Sequence, residues 1–146
     1  MLRCMGQLDL PPSGPRESVS AQRVLVVDDS ADTAELLRTV VERAGYVPRI
    51  ASSARDALAA AAEFRPHVAL IDIGLPDMDG YKLTKLLRAQ PELSACRFIA
   101  VTGHTSPSAV ARSIAAGFEA HLSKPVIADV LLAVIAQRGQ SDDTVS

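Results

Sequence analysis

Along this chain, short runs of consecutive apolar residues alternate with longer stretches in which apolar residues return every three or four positions. Residues 24–27 (VLVV) form an unbroken apolar run that stops at two acids, Asp28 and Asp29. A run that is apolar at every position suits a parallel strand covered on both faces. Ser30 then offers a helix cap, Ala34, Leu37, Val41 and Ala44 recur at helical spacing, and Gly45 supplies a stop. A short strand is expected over 47–51. Ser53 and Asp56 make a capping-box-like start for an alanine-rich helix that must end before Pro66. Residues 67–71 read as the next strand, closing on Asp72. A helix is predicted from near Gly80 through Leu83, Leu86 and Leu87 to about Pro91, followed by a fourth strand over 98–101. Ser106 as cap, Pro107 at the first position and Gly117 as stop bracket another helix. A fifth short strand over 119–122 and a last helix over 127–137 complete the pattern.

Five strand-then-helix units with short connections predict an α/β fold with a parallel sheet and right-handed crossovers. Five strands cannot close an eight-stranded barrel, so the sheet is expected to be open and doubly wound, with helices on both faces. In such sheets ligands bind beyond the carboxyl ends of the strands, where the strand order reverses. Residues 1–21 lack this pattern: they are rich in Pro, Ser and Gly and read as a flexible tail, with the folded domain over 22–138 and a second unstructured tail over 139–146. Pro12-x-x-Pro15 fits a polyproline ligand for an aromatic groove, although such patterns are also common in plain linkers.

Composition narrows the classes. A chain of 146 residues, 48% hydrophobic, is long enough for one domain that buries roughly 70% of its unfolded surface. The net charge of −2 with interspersed signs, and only two Tyr, three Phe and no Trp, offer no basic stripe or stacking platform for nucleic acid. Cys4 and Cys96 are too few and too far apart for a disulfide framework or a zinc site, which fits free thiols in a reducing cytoplasm. No apolar run approaches the roughly 20 residues that span a bilayer, so no membrane partner is expected.

The residues at the strand ends carry the chemistry. Strand one ends in Asp28-Asp29, strand three in Asp72 and strand four in Thr102, and strand five is followed by Lys124-Pro125. A parallel sheet brings all these ends to one edge. Three clustered carboxylates need counter-charge, since at about 4 Å and an effective dielectric near 20 each like pair costs on the order of 4 kcal/mol. Lys124 supplies one positive charge. A hard divalent cation such as Mg²⁺, which prefers carboxylate, water and phosphate oxygens, supplies the remainder. Phosphoryl transfer is then the natural chemistry, with a carboxylate as nucleophile and the hydroxyl and ammonium stabilising the phosphoryl oxygens.

The same residues resemble the response-regulator receiver domain of two-component signalling. VLVVDDS is similar to its acidic pair, LIDIGLPDMDG to its phospho-acceptor loop, IAVTG to its switch hydroxyl and AHLSKP to its lysine–proline ending. The resemblance covers residues 23 to about 137. It implies a flavodoxin-like strand order 2-1-3-4-5, which the residue pattern leaves open. It also implies Asp72 as phospho-acceptor, supplied by a phosphohistidine on a sensor histidine kinase or histidine phosphotransfer protein. Asp29, Asp72 and the backbone carbonyl of Gly74 would bind Mg²⁺, with Asp28 acting largely through water. Lys124 would pair with the phosphoryl group, the bond to Pro125 would be cis, and Thr102 would act as the switch. A change at the surface of the fourth helix, fifth strand and fifth helix would signal to a downstream protein target, with a homodimer formed on phosphorylation left open. At the position three before the lysine, often Tyr or Phe in this family, stands His121, flat like a phenol but able to carry charge near neutral pH. With no effector domain in the pattern, the chain reads as a stand-alone regulator, relay or phosphate sink; a piece of a hybrid kinase would look the same.

Three other functions fit the fold. A Mg²⁺-dependent phosphohydrolase of the haloacid-dehalogenase type also places a nucleophilic Asp after an apolar strand, but its second Asp would stand where this chain has Gly74, and there is no cap domain. A mononucleotide-binding module would need glycines and no acids in the DDSAD loop. A pure interaction domain would not need the acceptor, acidic pair, Thr and Lys together. Singly, Asp28 could cap a helix and Asp72 or Asp79 make a turn with Pro76 and Gly80. His67, His104 and His121 share no metal-ligand spacing; His104, two beyond Thr102, is positioned to screen water from a phosphoryl group.

Overall fold

The structure, a computed structural model, describes residues 22–103 and 106–137. Cys4, the Pro12-x-x-Pro15 pattern, both proposed tails and His104 lie outside them. The elements are β1 (Arg23–Val27), α1 (Ala31–Arg43), β2 (Val47–Ala51), α2 (Ala54–Phe64), β3 (Val68–Ile71), α3 (Gly80–Arg88), a 3₁₀ turn (Pro91–Leu93), β4 (Arg97–Thr102), α4 (Pro107–Ala116), β5 (Ala120–Ser123) and α5 (Ala128–Ala136). All strand pairs are parallel, in the order β2-β1-β3-β4-β5. This is the open parallel sheet expected from the strand-then-helix pattern, in the flavodoxin-like order that the resemblance implied.

Alternation of side chains across the pleat splits the inner strands between two cores. Leu25, Val27, Ala69, Ile71, Phe98 and Ala100 pack on one face with α2, α3 and α4 residues such as Ala57, Leu83, Leu87 and Ala116. Val24, Val26, Val68, Leu70, Ile99 and Val101 pack on the other with Ala34, Leu37 and Val41 of α1 and Leu131 and Ile135 of α5. That division explains why the inner strands are apolar at every position. Complete removal of one such side chain from water is worth roughly 1.5–3 kcal/mol.

The caps follow the sequence. Ser30 accepts from Thr33 N, Ser53 from Asp56 N, Asp79 from Tyr81 N and Ser106 from Ala109 N. Gly117 closes α4 at φ +105°, and a side chain there would also collide with the Arg88 guanidinium laid against it. Two details depart from the periodicity. Leu86, counted with the apolar residues of its helix, is 40% exposed, and the buried side of α3 is completed by Thr84. The chain between Ala89 and β4 also forms the 3₁₀ turn, which buries Leu93. Among the described residues no helix is long and apolar enough to cross a membrane.

Candidate functional site

The strand ladders run to the rim of the sheet and set the acids there. Val27 pairs with Ile71, and the next bonds, Asp72 N to Val27 O at 2.9 Å and Asp28 N to Ala51 O at 3.1 Å, extend both pairings by one residue. Asp28 and Asp72 therefore stand side by side, both buried, with exposed Asp29 beside them. One carboxylate oxygen from each of the three lies within 4.8 Å of the others. Asp28 Oδ1 accepts from Ser30 N at 2.9 Å, and Asp72 Oδ1 from Gly74 N at 3.1 Å. Their remaining oxygens face Lys124, whose Nζ lies 2.9 Å from Asp28 Oδ2 and 3.4 Å from Asp72 Oδ2. Asp28 Oδ2 is sealed from solvent, with the Lys124 ammonium as its ion-pair partner.

Electrostatics follow from this crowding. Burial pushes the Asp72 carboxyl above its ordinary range; the Gly74 N–H opposes the rise, the Asp28 charge adds to it and Lys124 opposes it. Burial pulls the Lys124 ammonium down, yet Asp28 and Asp72 together leave it above its ordinary value. Three carboxylates against one ammonium leave the rim net negative. Three carboxylates converging on one point, with only oxygen ligands to offer, suit a hard divalent cation.

The other two strands complete the rim. Thr102 is buried at the end of β4, and its carbonyl accepts from Lys124 N at 2.9 Å. The Lys124–Pro125 peptide is cis. His121, two strand residues before the Thr102–Ser123 pair, is engaged by α4: its Nδ1 lies 2.8 Å from Ser113 Oγ. Ser113 Oγ also donates to the Ala109 carbonyl at 3.1 Å. A hydroxyl has one proton, so with that bond made, His121 Nδ1 is the donor of the pair.

The glycines of the loop after Asp72 differ in what they do. Gly74 lies open beside Asp72, and a Cβ there would have only Asp72 Oδ1 nearby, at 3.9 Å. At Gly80 a Cβ would come 2.6 Å from Ile73 Cα, so only glycine lets α3 start against the loop it follows. The sequence did not signal Asp77, which bonds to the start of α2, or Ser113. A serine four residues after Ala109 on the buried side of a helix was the one available hint of a buried polar link.

Comparison with known proteins gives the same grouping. Residues 24–136 match the family model described as response regulator receiver domain. The polar-differentiation response regulator DivK of Brucella anthropi is 35% identical over 103 residues, covering 70% of this chain and 84% of its own length. The DNA-binding response regulator MtrA of Mycobacterium tuberculosis is 32% identical over 122 residues, 84% of this chain; the match spans about half of MtrA, 52%. A CheY-like receiver domain from Methanospirillum hungatei superposes with a TM-score of 0.77 at 31% identity, covering 87% of this chain and all of that one. With the strand order and the match over nearly all described residues, this chain belongs to the response-regulator receiver domains of two-component signalling.

Proposed function

We propose that this chain accepts a phosphoryl group on Asp72 from a phosphohistidine donor and passes the signal to a partner protein. What supports this most directly is the packing of Asp28, Asp29 and Asp72 within 4.8 Å, with Lys124 bridging the two buried acids. An Asp72 carboxylate oxygen attacks phosphorus while the P–N bond to the donor breaks, and the imidazole leaves with the electron pair and takes up a proton. Lys124 neutralises the phosphoryl oxygens, and the Thr102 hydroxyl donates to them. Asp29, Asp72 and the Gly74 carbonyl would hold Mg²⁺, with Asp28 assisting through water. Bound there, the cation supplies charge neutralisation at the phosphoryl oxygens.

The donor would be a sensor histidine kinase or histidine phosphotransfer protein, which places the chain in the cytoplasm. The acceptance is stoichiometric, one phosphoryl group per chain, and is not the turnover of a phosphatase. Output would leave through α4, β5 and α5, where Ile114, Ile127 and Val130 are exposed and a groove of about 280 Å³ is lined by His121, Pro125, Val126 and Ile127. A downstream protein or a second copy of the chain would dock there.

Incubation with Mg²⁺ and acetyl phosphate, read by intact mass, tests the assignment. The wild type should gain one phosphoryl group and Asp72→Asn none. Equal gain by both proteins, or steady hydrolysis of the donor without a phosphorylated chain, would reject it.

A further inference from the structure

The loop between Asp72 and α3 is fastened to the fold at a point that sequence did not signal. Asp77, at its tip, accepts from Ala54 N at 3.0 Å through one carboxylate oxygen and from Arg55 N at 3.1 Å through the other. These are the first two residues of α2, and the third, Asp56, donates to Ser53 Oγ at 3.1 Å. The free amides at the start of α2 are thus shared between a local serine and a carboxylate from 22 and 23 residues away. An anion at this end also meets the positive end of the helix dipole, and these bonds hold the Asp77 carboxyl below its ordinary range.

Toward the acids, the loop has two other fastenings. Ile73 and Leu75 are buried in the core on the α2 side, and Gly80 N returns to Ile73 O at 3.0 Å. Between these lies Gly74, exposed, whose N–H holds Asp72 Oδ1 at 3.1 Å. The Asp72 carboxylate is therefore oriented by the Ile73–Gly74 peptide. The carbonyl side of that peptide is held by Gly80 N and buried Ile73, and its Gly74 side continues into buried Leu75 and then the Asp77 anchor.

We propose that Asp77 is a positioning residue for the acceptor: by anchoring the loop tip to α2 it sets the Gly74 peptide and, through the Gly74 N–H, the Asp72 carboxylate. The proposal rests on Asp72 being the acceptor, and the experiment separates the two. Asp77→Ala is compared with Ser53→Ala, which removes a cap from the same end of the same helix without touching the loop, and with Asp77→Asn, which retains one oxygen acceptor. Two readouts are taken: the Mg²⁺ dissociation constant by calorimetry, and hydrogen exchange of the Gly74 amide in Mg²⁺-free buffer.

Asp77→Ala should weaken Mg²⁺ binding about 10-fold, the scale seen when a group that orients a ligand is removed, and should speed Gly74 exchange. Asp77→Asn should fall between it and the wild type. Ser53→Ala should leave both readouts unchanged while lowering the melting temperature comparably. Equal behaviour of Asp77→Ala and Ser53→Ala in both readouts would overturn the proposal, because Asp77 would then be only a helix cap. If Asp77→Ala does not fold, Asp77→Asn against Ser53→Ala decides in the same way. Indifference of the wild type to Mg²⁺ would instead defeat the acceptor assignment, while Gly74 exchange still decides whether Asp77 orders the loop.

Discussion

The two halves of the sheet's rim are built by different means. At β1 and β3 the strands are inner, nearly every residue is buried, and the rim groups are charges set by backbone ladders. At β5 the strand is an edge, laddered through its backbone to β4 alone; its residues Ala120, His121 and Leu122 are only half buried, and side chains supply the rest of its hold. Ser113 links His121 to α4, and Arg97 joins β4 to Glu119 and to the Val134 and Ile135 carbonyls at the end of α5. Charges that must stay close need a rigid frame, because any slackening lets them separate. A surface meant to change shape is better held by a few neutral or peripheral bonds, each worth about 1 kcal/mol. The receiver therefore sets its three clustered acids on the stiff half, and its proposed output surface on the half that is cheaper to rearrange.

The sharpest way to break this contrast is to cut into each half equally. Ile71→Ala, at a fully buried β3 position, should cost about 3–4 kcal/mol, and Leu122→Ala in β5 about 1 kcal/mol, both read by chemical denaturation. Equal losses would remove the distinction between the halves.

Charge comes next. Lys124→Ala leaves Asp28 and Asp72 facing each other without their cation. Discounted for the partial exposure of Lys124, this should cost roughly 2 kcal/mol in EDTA. Added Mg²⁺ should restore more stability to the variant than to the wild type. A loss unaffected by Mg²⁺ would mean that Lys124 holds the β5–α5 connection and not the acids.

On the softer half, Ser113→Ala removes the α4–β5 link and should cost about 1 kcal/mol by the same denaturation measurement. It should leave Mg²⁺ affinity unchanged. A fall in affinity would show that the halves are coupled even without phosphorylation.

The smallest effect is in acid. Asp77 is depressed in the folded protein by its bonds to the Ala54 and Arg55 amides, so its contribution is present above the unfolded carboxyl value and lost as pH falls through the folded one. Below about pH 4 the wild type should therefore lose stability more steeply than Asp77→Asn, in parallel melts. Superimposable curves would contradict the cap.

Much of this was legible in the residues alone because it depends on local period. Unbroken apolar runs at Val24 and Val68, caps at Ser30, Ser53 and Ser106, and polar residues at strand ends specify the elements, and parallel topology then gathers the ends. Asp28, Asp29, Asp72 and Lys124 could be assigned to one edge for that reason. The bonds from Asp77 to Ala54 and Arg55 and from Ser113 to His121 were not legible. They join different segments through side chains, and nothing in the spacing marks their partners. Leu86 marks the helix without marking its buried side, which Thr84 completes.

Mg²⁺ titration by calorimetry bears most directly on why three acids share this rim. The wild type should bind one Mg²⁺ per chain, Asp29→Asn and Asp72→Asn should lose the binding heat, and Asp28→Asn should retain it with weaker affinity. A folded wild type that shows no binding heat, and no rise in melting temperature at millimolar Mg²⁺, would contradict the assignment of the acids to a cation.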